Sequence, residues 1–212
     1  MKSSDTSDGR SVRAVAKRQK RRQEILTEAL KVFSKQGYHS TSITDIVEAA
    51  GIARGTFYQY FDSKKMIFLE LLNVLIEELR GSIVGVAQHE GAAPLETQLI
   101  DTVYRIFTVV DSNRSITSIV FREAVGLDDD IDTRLNDFYT GLYGYIMAAL
   151  QIGQQMGAVR ALDQEVVANC IVGSMRQVAY HYLVVHPTRP FHVQRIAREV
   201  VLLHLHGVLA SR

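Results

Sequence analysis

Arg54, Thr56, Tyr58, Gln59 and Tyr60 fall within seven residues of one another. A guanidinium, a carboxamide and three hydroxyls on so short a segment suit the reading of base edges and the gripping of phosphates. No comparable set for catalysis stands elsewhere. The chain has no Gly-rich phosphate loop, no His-Glu-x-x-His, no paired-cysteine spacing and no Gly-x-Ser-x-Gly. The late histidines His181, His186, His192, His204 and His206 suggest a metal at first sight. His204 and His206, however, are two apart and diverge on a helix, and no carboxylate cluster follows. The expectation is a protein that is not an enzyme and carries neither cofactor nor metal.

The elements that would position these side chains are two short helices around a glycine turn. Ser42 can cap the first with its hydroxyl, and Asp45 stands three residues on. Ile43, Ile46, Val47 and Ala50 recur at helical spacing and give that helix one apolar face. Gly51 suits the left-handed position that ends a helix. The next helix is barely two turns long. It buries Phe57 and Phe61, four apart, and leaves the polar set pointing elsewhere.

Gly37-Tyr38, Thr41-Ser42, Ile46-Val47, Ala50-Gly51-Ile52, Gly55-Thr56-Phe57-Tyr58, Tyr60-Phe61 and Ser63-Lys64 together resemble the DNA-binding domain of the TetR family of bacterial repressors. The match runs without a gap from about Arg22 to Phe68. It implies an all-α fold of nine helices, with an N-terminal three-helix helix-turn-helix domain and a C-terminal helical ligand-binding and dimerisation domain. It implies that the third helix lies in the major groove of double-stranded DNA. Arg54 and Gln59 are then the candidates for base contacts, since Arg forks onto guanine and Gln onto adenine. Gly55 would let the backbone approach the duplex, and Thr56 could touch a thymine methyl or a phosphate. Ser42, Thr44, Tyr58, Tyr60 and Lys64 match positions that hold the phosphate backbone in the family.

The net charge of +1 hides a division. Residues 10–65 hold twelve Lys/Arg against five Asp/Glu, a net of +7, whereas residues 66–212 hold eleven against sixteen, a net of −5. A basic third on an acidic body is expected where one end meets a polyanion. Arg10, Arg13, Lys17, Arg18, Lys20, Arg21 and Arg22 form a run without an acid. Its first part reads either as an arm that lies along phosphates or enters a minor groove, or as a loose basic tail. The expected organisation is a flexible basic arm over 1–16, a DNA-binding domain over 17–65 and a helical domain over 66–212. The single cysteine, Cys170, fits a reducing compartment. With no signal-peptide pattern and no apolar run of roughly 20 residues, the expected location is the cytoplasm.

Helix four is expected from Ser63 to about Ala87, crossing from one domain into the next. Five more helices follow: Pro94 to Val110, Ser112 or Asn113 to Gly126, the Asp128 region to Met156, Asp163 to Val185, and Phe191 to Leu209. The last two are apolar around much of their girth. Val166, Val167, Cys170, Ile171, Gly173, Ser174 and Val178 would face a partner copy, with Val193, Ile196, Ala197, Val200, Val201, His204, Leu205 and Val208. Such stripes fit monomer core as well as a four-helix homodimer interface, and the dimer is the favoured reading. Two readers on a twofold axis would match a palindromic operator. The middle helices offer a lining for a mostly hydrophobic small-molecule effector: Tyr104, Phe107, Phe121, Phe138, Tyr139, Leu142, Tyr143, Met147, Met175 and Tyr182. Arg122, Glu123, Gln177 and His181 are its candidate polar partners. Aromatics at this spacing serve equally as core, so a constitutive DNA-binding protein without a ligand remains the alternative to a ligand-released repressor.

Overall fold

The computed structural model describes residues 6–124 and 126–207, with side chains from Val12 onward. Among the described residues it is helical, without strands, and holds nine α-helices: α1 (Thr6–Gln36), α2 (Ile43–Ala49), α3 (Arg54–Tyr58), α4 (Lys64–Ser82), α5 (Leu95–Ser112), α6 (Arg114–Ile119), α7 (Asp129–Gln155), α8 (Gln164–Tyr180) and α9 (Val193–His206). Wider π-helical turns extend α6 over Val120–Ala124 and α8 over His181–Val185. No helix among the described residues is long and apolar enough to cross a membrane. The chain divides into two compact units, Met1–Asn73 and Val74–Arg212. The division falls within α4, after Asn73 rather than after Lys65, because the first half of that helix belongs to the N-terminal core. Ile67, Phe68 and Leu72 are buried there, and the Phe68 ring packs on Phe33 and Tyr38.

In the N-terminal unit, Ile25, Leu26, Ala29 and Phe33 of α1 are buried, α2 packs on α1, and α3 packs on α2. Residues 1–5 of the expected arm lie outside the described residues, but from Thr6 onward the segment is helix, continuous with α1. Ala14, Ala16, Lys17, Arg18 and Gln19 are strong helix formers with no proline among them, which favours continuing the helix over a loose arm.

In the C-terminal unit α5 lies along α9, and α7 packs on α8. Phe107, Val110, Ala179, Leu183, Phe191, Ile196, Ala197 and Val200 make one buried cluster. Four helix ends differ from the sequence expectation. Helix α4 stops at Ser82, whose hydroxyl turns back to the Leu79 carbonyl at 2.7 Å; three β-branched residues in the next four disfavour continuation. Helix α6 is only six residues before its turns widen. Helix α9 starts at Val193, because Phe191 is drawn into the core against Phe107, and ends at His206, capped by Gly207 with φ of 73°. The α8 extension ends at Val185, and the carbonyls of that last turn lack helical partners. A ladder of residues four apart supplies them: Arg114 donates to Tyr182 and Pro187, Ser118 to Leu183, and Arg122 to Val184, at 3.1–3.3 Å.

Candidate nucleic-acid interface

Helices α2 and α3 are held at both ends by local chemistry. Ser42 and Asp45 form a complete capping box: the Asp45 N–H donates to Ser42 Oγ at 3.2 Å, and the Ser42 N–H donates to Asp45 Oδ2 at 2.7 Å. The bond from the Ser42 backbone, followed by the one from its hydroxyl, holds the Asp45 carboxyl below its ordinary pKa of 3.8. At the other end of α2, Gly51 has φ of +59°. The Ile52 N–H reaches Val47 O at 3.0 Å and the Gly51 N–H reaches Glu48 O at 3.2 Å, the paired bonds of a Schellman motif. This turn aims α3. Phe57 is fully buried and Phe61 nearly so, with ring centroids 6.2 Å apart. The inner side of α3 is thereby fixed, and Arg54, Gly55, Tyr58 and Gln59 are exposed on its outer side. Thr56 and Tyr60 are half-buried at its edge. Ser42 and Thr44 are exposed at the start of α2.

Lys64 is placed differently from a simple surface cation. Its ammonium donates to the carbonyls of Tyr38, His39 and Thr41 at 2.9, 3.1 and 2.7 Å, and sits 4.6 Å from the Tyr38 ring centre. It ties the turn between α1 and α2 to the start of α4. Two further arginines brace the unit from α1. Arg18 donates to the Gln59 carbonyl at 3.2 Å and lies 5.9 Å from the Tyr60 ring centre. Arg22 pairs with Glu70 and lies over Phe61 at 4.5 Å. These braces were not legible in the sequence as contacts; the only signal was the density of cations before α2.

A model for bacterial regulatory proteins of the tetR family matches residues 25–71. The HTH-type transcriptional regulator HbdR of Aromatoleum sp. (strain CIB) is 31% identical over 176 residues, covering 79% of this chain and 74% of the relative. This chain belongs to the TetR family. The HTH-type transcriptional repressor KstR2 of Rhodococcus jostii (strain RHA1) is also similar, at 30% identity over 144 residues, 66% of this chain and 69% of that one. Among solved structures, a TetR-family regulator described as putative from Syntrophomonas wolfei matches with a TM-score of 0.70 and 25% identity, over 92% of this chain and 100% of that one. The chain is thus a TetR-family helix-turn-helix transcriptional regulator, and its relatives are regulators of transcription, not enzymes. Among the described residues no group of three His, Cys, Asp or Glu is placed to hold a metal ion.

The TetR-family body holds the expected ligand residues in several places rather than one. Phe121 and Tyr139 line a cavity of about 80 Å³ with Val120, Asp132, Leu135, Asn136 and Arg176. Burial pushes the Tyr139 hydroxyl up in pKa, partly offset by the Arg176 charge. Phe138, half-buried, sets its ring at 59° to that of Tyr139, 5.4 Å between centres, and Tyr143 lies one turn further along α7. Met147 continues that face and is half-buried. Phe107, by contrast, is closed in the core against Phe191. Tyr104 is exposed and lines a shallow hollow with Phe191 and Val193. Arg122 is engaged on the Val184 carbonyl, Gln177 is exposed, and His181 packs 4.6 Å from His186. One group went unnoticed in the sequence. Thr117 Oγ1, one turn before Phe121, is buried without a hydrogen-bond partner among the described residues.

The expected dimer stripe also divides. Ile196, Ala197, Val200 and Val201 are buried within the protomer, and Val193 is half-buried against the same core. Val166, Cys170 and Gly173 are exposed, as are His204 and Leu205. Val167, Ile171, Ser174 and Val178 are half-buried, and Val208 lies outside the described residues. The α9 positions turn inward because α5 presents Phe107 and Val110 to them.

Proposed function

We propose that this regulator is a repressor that grips a palindromic operator as a homodimer and is released by a mostly hydrophobic small molecule. The observation that carries the reading is the division of α3: Phe57 is locked inward while Arg54, Gly55, Tyr58 and Gln59 face solvent together. In this reading Arg54 and Gln59 meet base edges. Thr44, Thr56, Tyr58 and Tyr60 meet phosphate oxygens, whereas both donors of Ser42 are spent on Asp45 Oδ2. Similarity to a named repressor supports the sign of regulation. The operator test is selection of bound duplexes from a random pool. A palindromic consensus is expected, and recovery without any sequence preference would overturn the proposal.

The effector would enter beside Phe121, Tyr139 and Arg176. A cavity of about 80 Å³ is well below the roughly 300–1,000 Å³ of small-molecule sites. Binding therefore requires α6 and its π turns to part from α7 and α8, and this differential affinity is what lets a ligand shift the operator-binding equilibrium. The unpartnered Thr117 hydroxyl is a polar group such a ligand could satisfy. Helix α4 would carry the signal, since Arg105 holds the Ser82 carbonyl and Asn113 holds Glu78 at its C-terminal half. The small cavity also favours a second reading, a constitutive regulator with a filled core. A screen of amphipathic compounds against the operator complex separates the two: release by any of them supports the first, and none supports the second.

A further inference from the structure

The cavity lined by the π turns of α6, by α7 and by α8 changes character along its depth. Val120 and Leu135 are apolar and buried, and mark its inner end. Asn136 and Arg176 are polar and exposed, and mark its mouth. Phe121, Asp132 and Tyr139 are half-buried between the two. Arg176 is the one cation of this lining. Its guanidinium lies 5.8 Å from the centre of the Phe121 ring, and no hydrogen bond or ion pair to it is seen among the described residues. The arginines of α5, α6 and the first π turn are spent on structure instead. Arg105 holds the Ser82 carbonyl, Arg114 holds Asp111 and two carbonyls, and Arg122 holds the Val184 carbonyl. Arg176 thus keeps a fork of N–H donors that the protein does not use.

Two further donors line the same cavity. Burial pushes the Tyr139 hydroxyl up in pKa, so it stays protonated and able to donate. Asn136 carries an amide. The one acid of the lining, Asp132, accepts the Gly126 N–H on Oδ1 at 2.9 Å. Asp129 and Asp130 stand in the same first turn of α7.

We propose that the effector is an amphipathic monocarboxylate, its tail against Val120, Phe121 and Leu135 and its single negative charge held by the Arg176 guanidinium at the mouth. The inference rests on the effector reading and gives its ligand a chemical class. A planar guanidinium matches a carboxylate through two parallel N–H···O bonds, and such charged pairs are stronger than neutral ones. Contact with the Phe121 face limits where the fork can point. Asp132 limits the charge that the mouth accepts. One carboxylate neutralises Arg176, whereas a second negative charge on the head would stand unbalanced beside Asp132 and its acidic turn. A neutral head with the same tail leaves the guanidinium without a counter-charge.

The test is calorimetric titration of the full chain with octanoate, octanol and octyl phosphate, and with phenylbutyrate and phenylbutanol. The readout is the affinity ratio of acid to alcohol with the same tail, because changes in the packing of the tail cancel in it. In the parent at least one acid should bind about 10-fold tighter than its alcohol, and octyl phosphate should bind more weakly than octanoate. Arg176→Gln should bring the ratio close to unity. Arg176→Lys, which keeps the charge and loses the fork, should retain part of it. Asp132→Asn keeps an oxygen for the Gly126 N–H and removes the charge, so octyl phosphate should gain on octanoate. The acid that binds should also release the parent from its selected operator.

A ratio near unity for both tails in the parent overturns the inference, as does a ratio that Arg176→Gln leaves unchanged. Octyl phosphate that binds the parent as tightly as octanoate overturns it too. An acid that binds through Arg176 yet leaves operator affinity unchanged has the same result, since that molecule is no effector. If the alcohols bind and release the operator as well as the acids do, the effector reading stands and this inference alone falls. If no acid and no alcohol binds, the inference falls and the filled-core reading gains.

Discussion

The ammonium of Lys64 carries three N–H bonds, and main-chain carbonyls of Tyr38, His39 and Thr41 receive it at 2.7–3.1 Å. Its sequence position matched a phosphate anchor of the family. The acceptors were not legible, because a carbonyl oxygen belongs to every residue and leaves no mark in the sequence. Charge-assisted bonds of this kind are worth about 1.5–3 kcal/mol. Lys64→Met is therefore expected to destabilise the N-terminal unit by about 2 kcal/mol in denaturant unfolding, and to weaken binding to every duplex alike. An unchanged unfolding midpoint with weaker DNA binding would instead return Lys64 to a phosphate. Arg54 has the opposite character. It is exposed on α3, and no hydrogen bond to its side chain is seen among the described residues. Arg54→Ala should leave stability within about 0.5 kcal/mol, as surface substitutions do. Preference should relax at one base position in each half-site, by about 1–3 kcal/mol of discrimination, read by selection and competition binding. Uniform loss across all sequences would make it a phosphate contact. Phe57 and Phe61, by contrast, were legible as core from a spacing of four alone.

At the scale of elements, local punctuation decided what could be read beforehand. Ser42, Asp45 and Gly51 mark both ends of α2, and each does in the structure what its type suits: a capping box at one end and a left-handed glycine at the other. The widened turns after Ile119 and Tyr180 carry no such mark. Helical periodicity continues through them, and what supports the second, the ladder of Arg114, Ser118 and Arg122, lies more than sixty residues away in the chain. Residues 6–16 are helix where the sequence suggests part of a flexible arm over 1–16, for a related reason: a basic run without an apolar face looks unstructured even where its residues favour helix. The capping box yields a pH dependence. The folded Asp45 carboxyl has a lowered pKa, so it stays ionised where the unfolded one, near 3.9, begins to take up a proton. Its contribution is complete above that unfolded value and is lost as pH falls through the lower folded value. Asp45→Asn should be less stable than the parent at pH 6, and the difference should shrink as pH drops below about 4. A gap that stays constant down to pH 2 would show that the box contributes nothing through ionisation.

At the scale of the molecule, the proposed palindromic operator would require two copies, and the protomer leaves one apolar helix side uncovered among the described residues. Val166, Cys170 and Gly173 are exposed on α8 at spacings of four and three, with Leu203 and Leu205 exposed on α9. The remainder of the α9 stripe is closed against α5, so a dimer of the proposed kind would use α8 first rather than both helices equally. Gly173 discriminates between surface and core. A Cβ built there meets nothing within 4 Å in the protomer. Replacing a helical glycine also removes a backbone-entropy cost of roughly 0.5–1 kcal/mol. Gly173→Glu should therefore fold at least as well as the parent when alone. In a dimer packed through α8, the same side chain buries a carboxylate against its own symmetry copy, and both desolvation and like-charge repulsion oppose association. The expected result is a monomer by sedimentation at concentrations where the parent is a dimer. Each monomer then has only one half-site, so affinity for the full operator should fall by orders of magnitude while base preference within a half-site persists. Should the variant retain the mass of a dimer, α8 does not form the interface, and the small and apolar residues on its exposed side need another explanation.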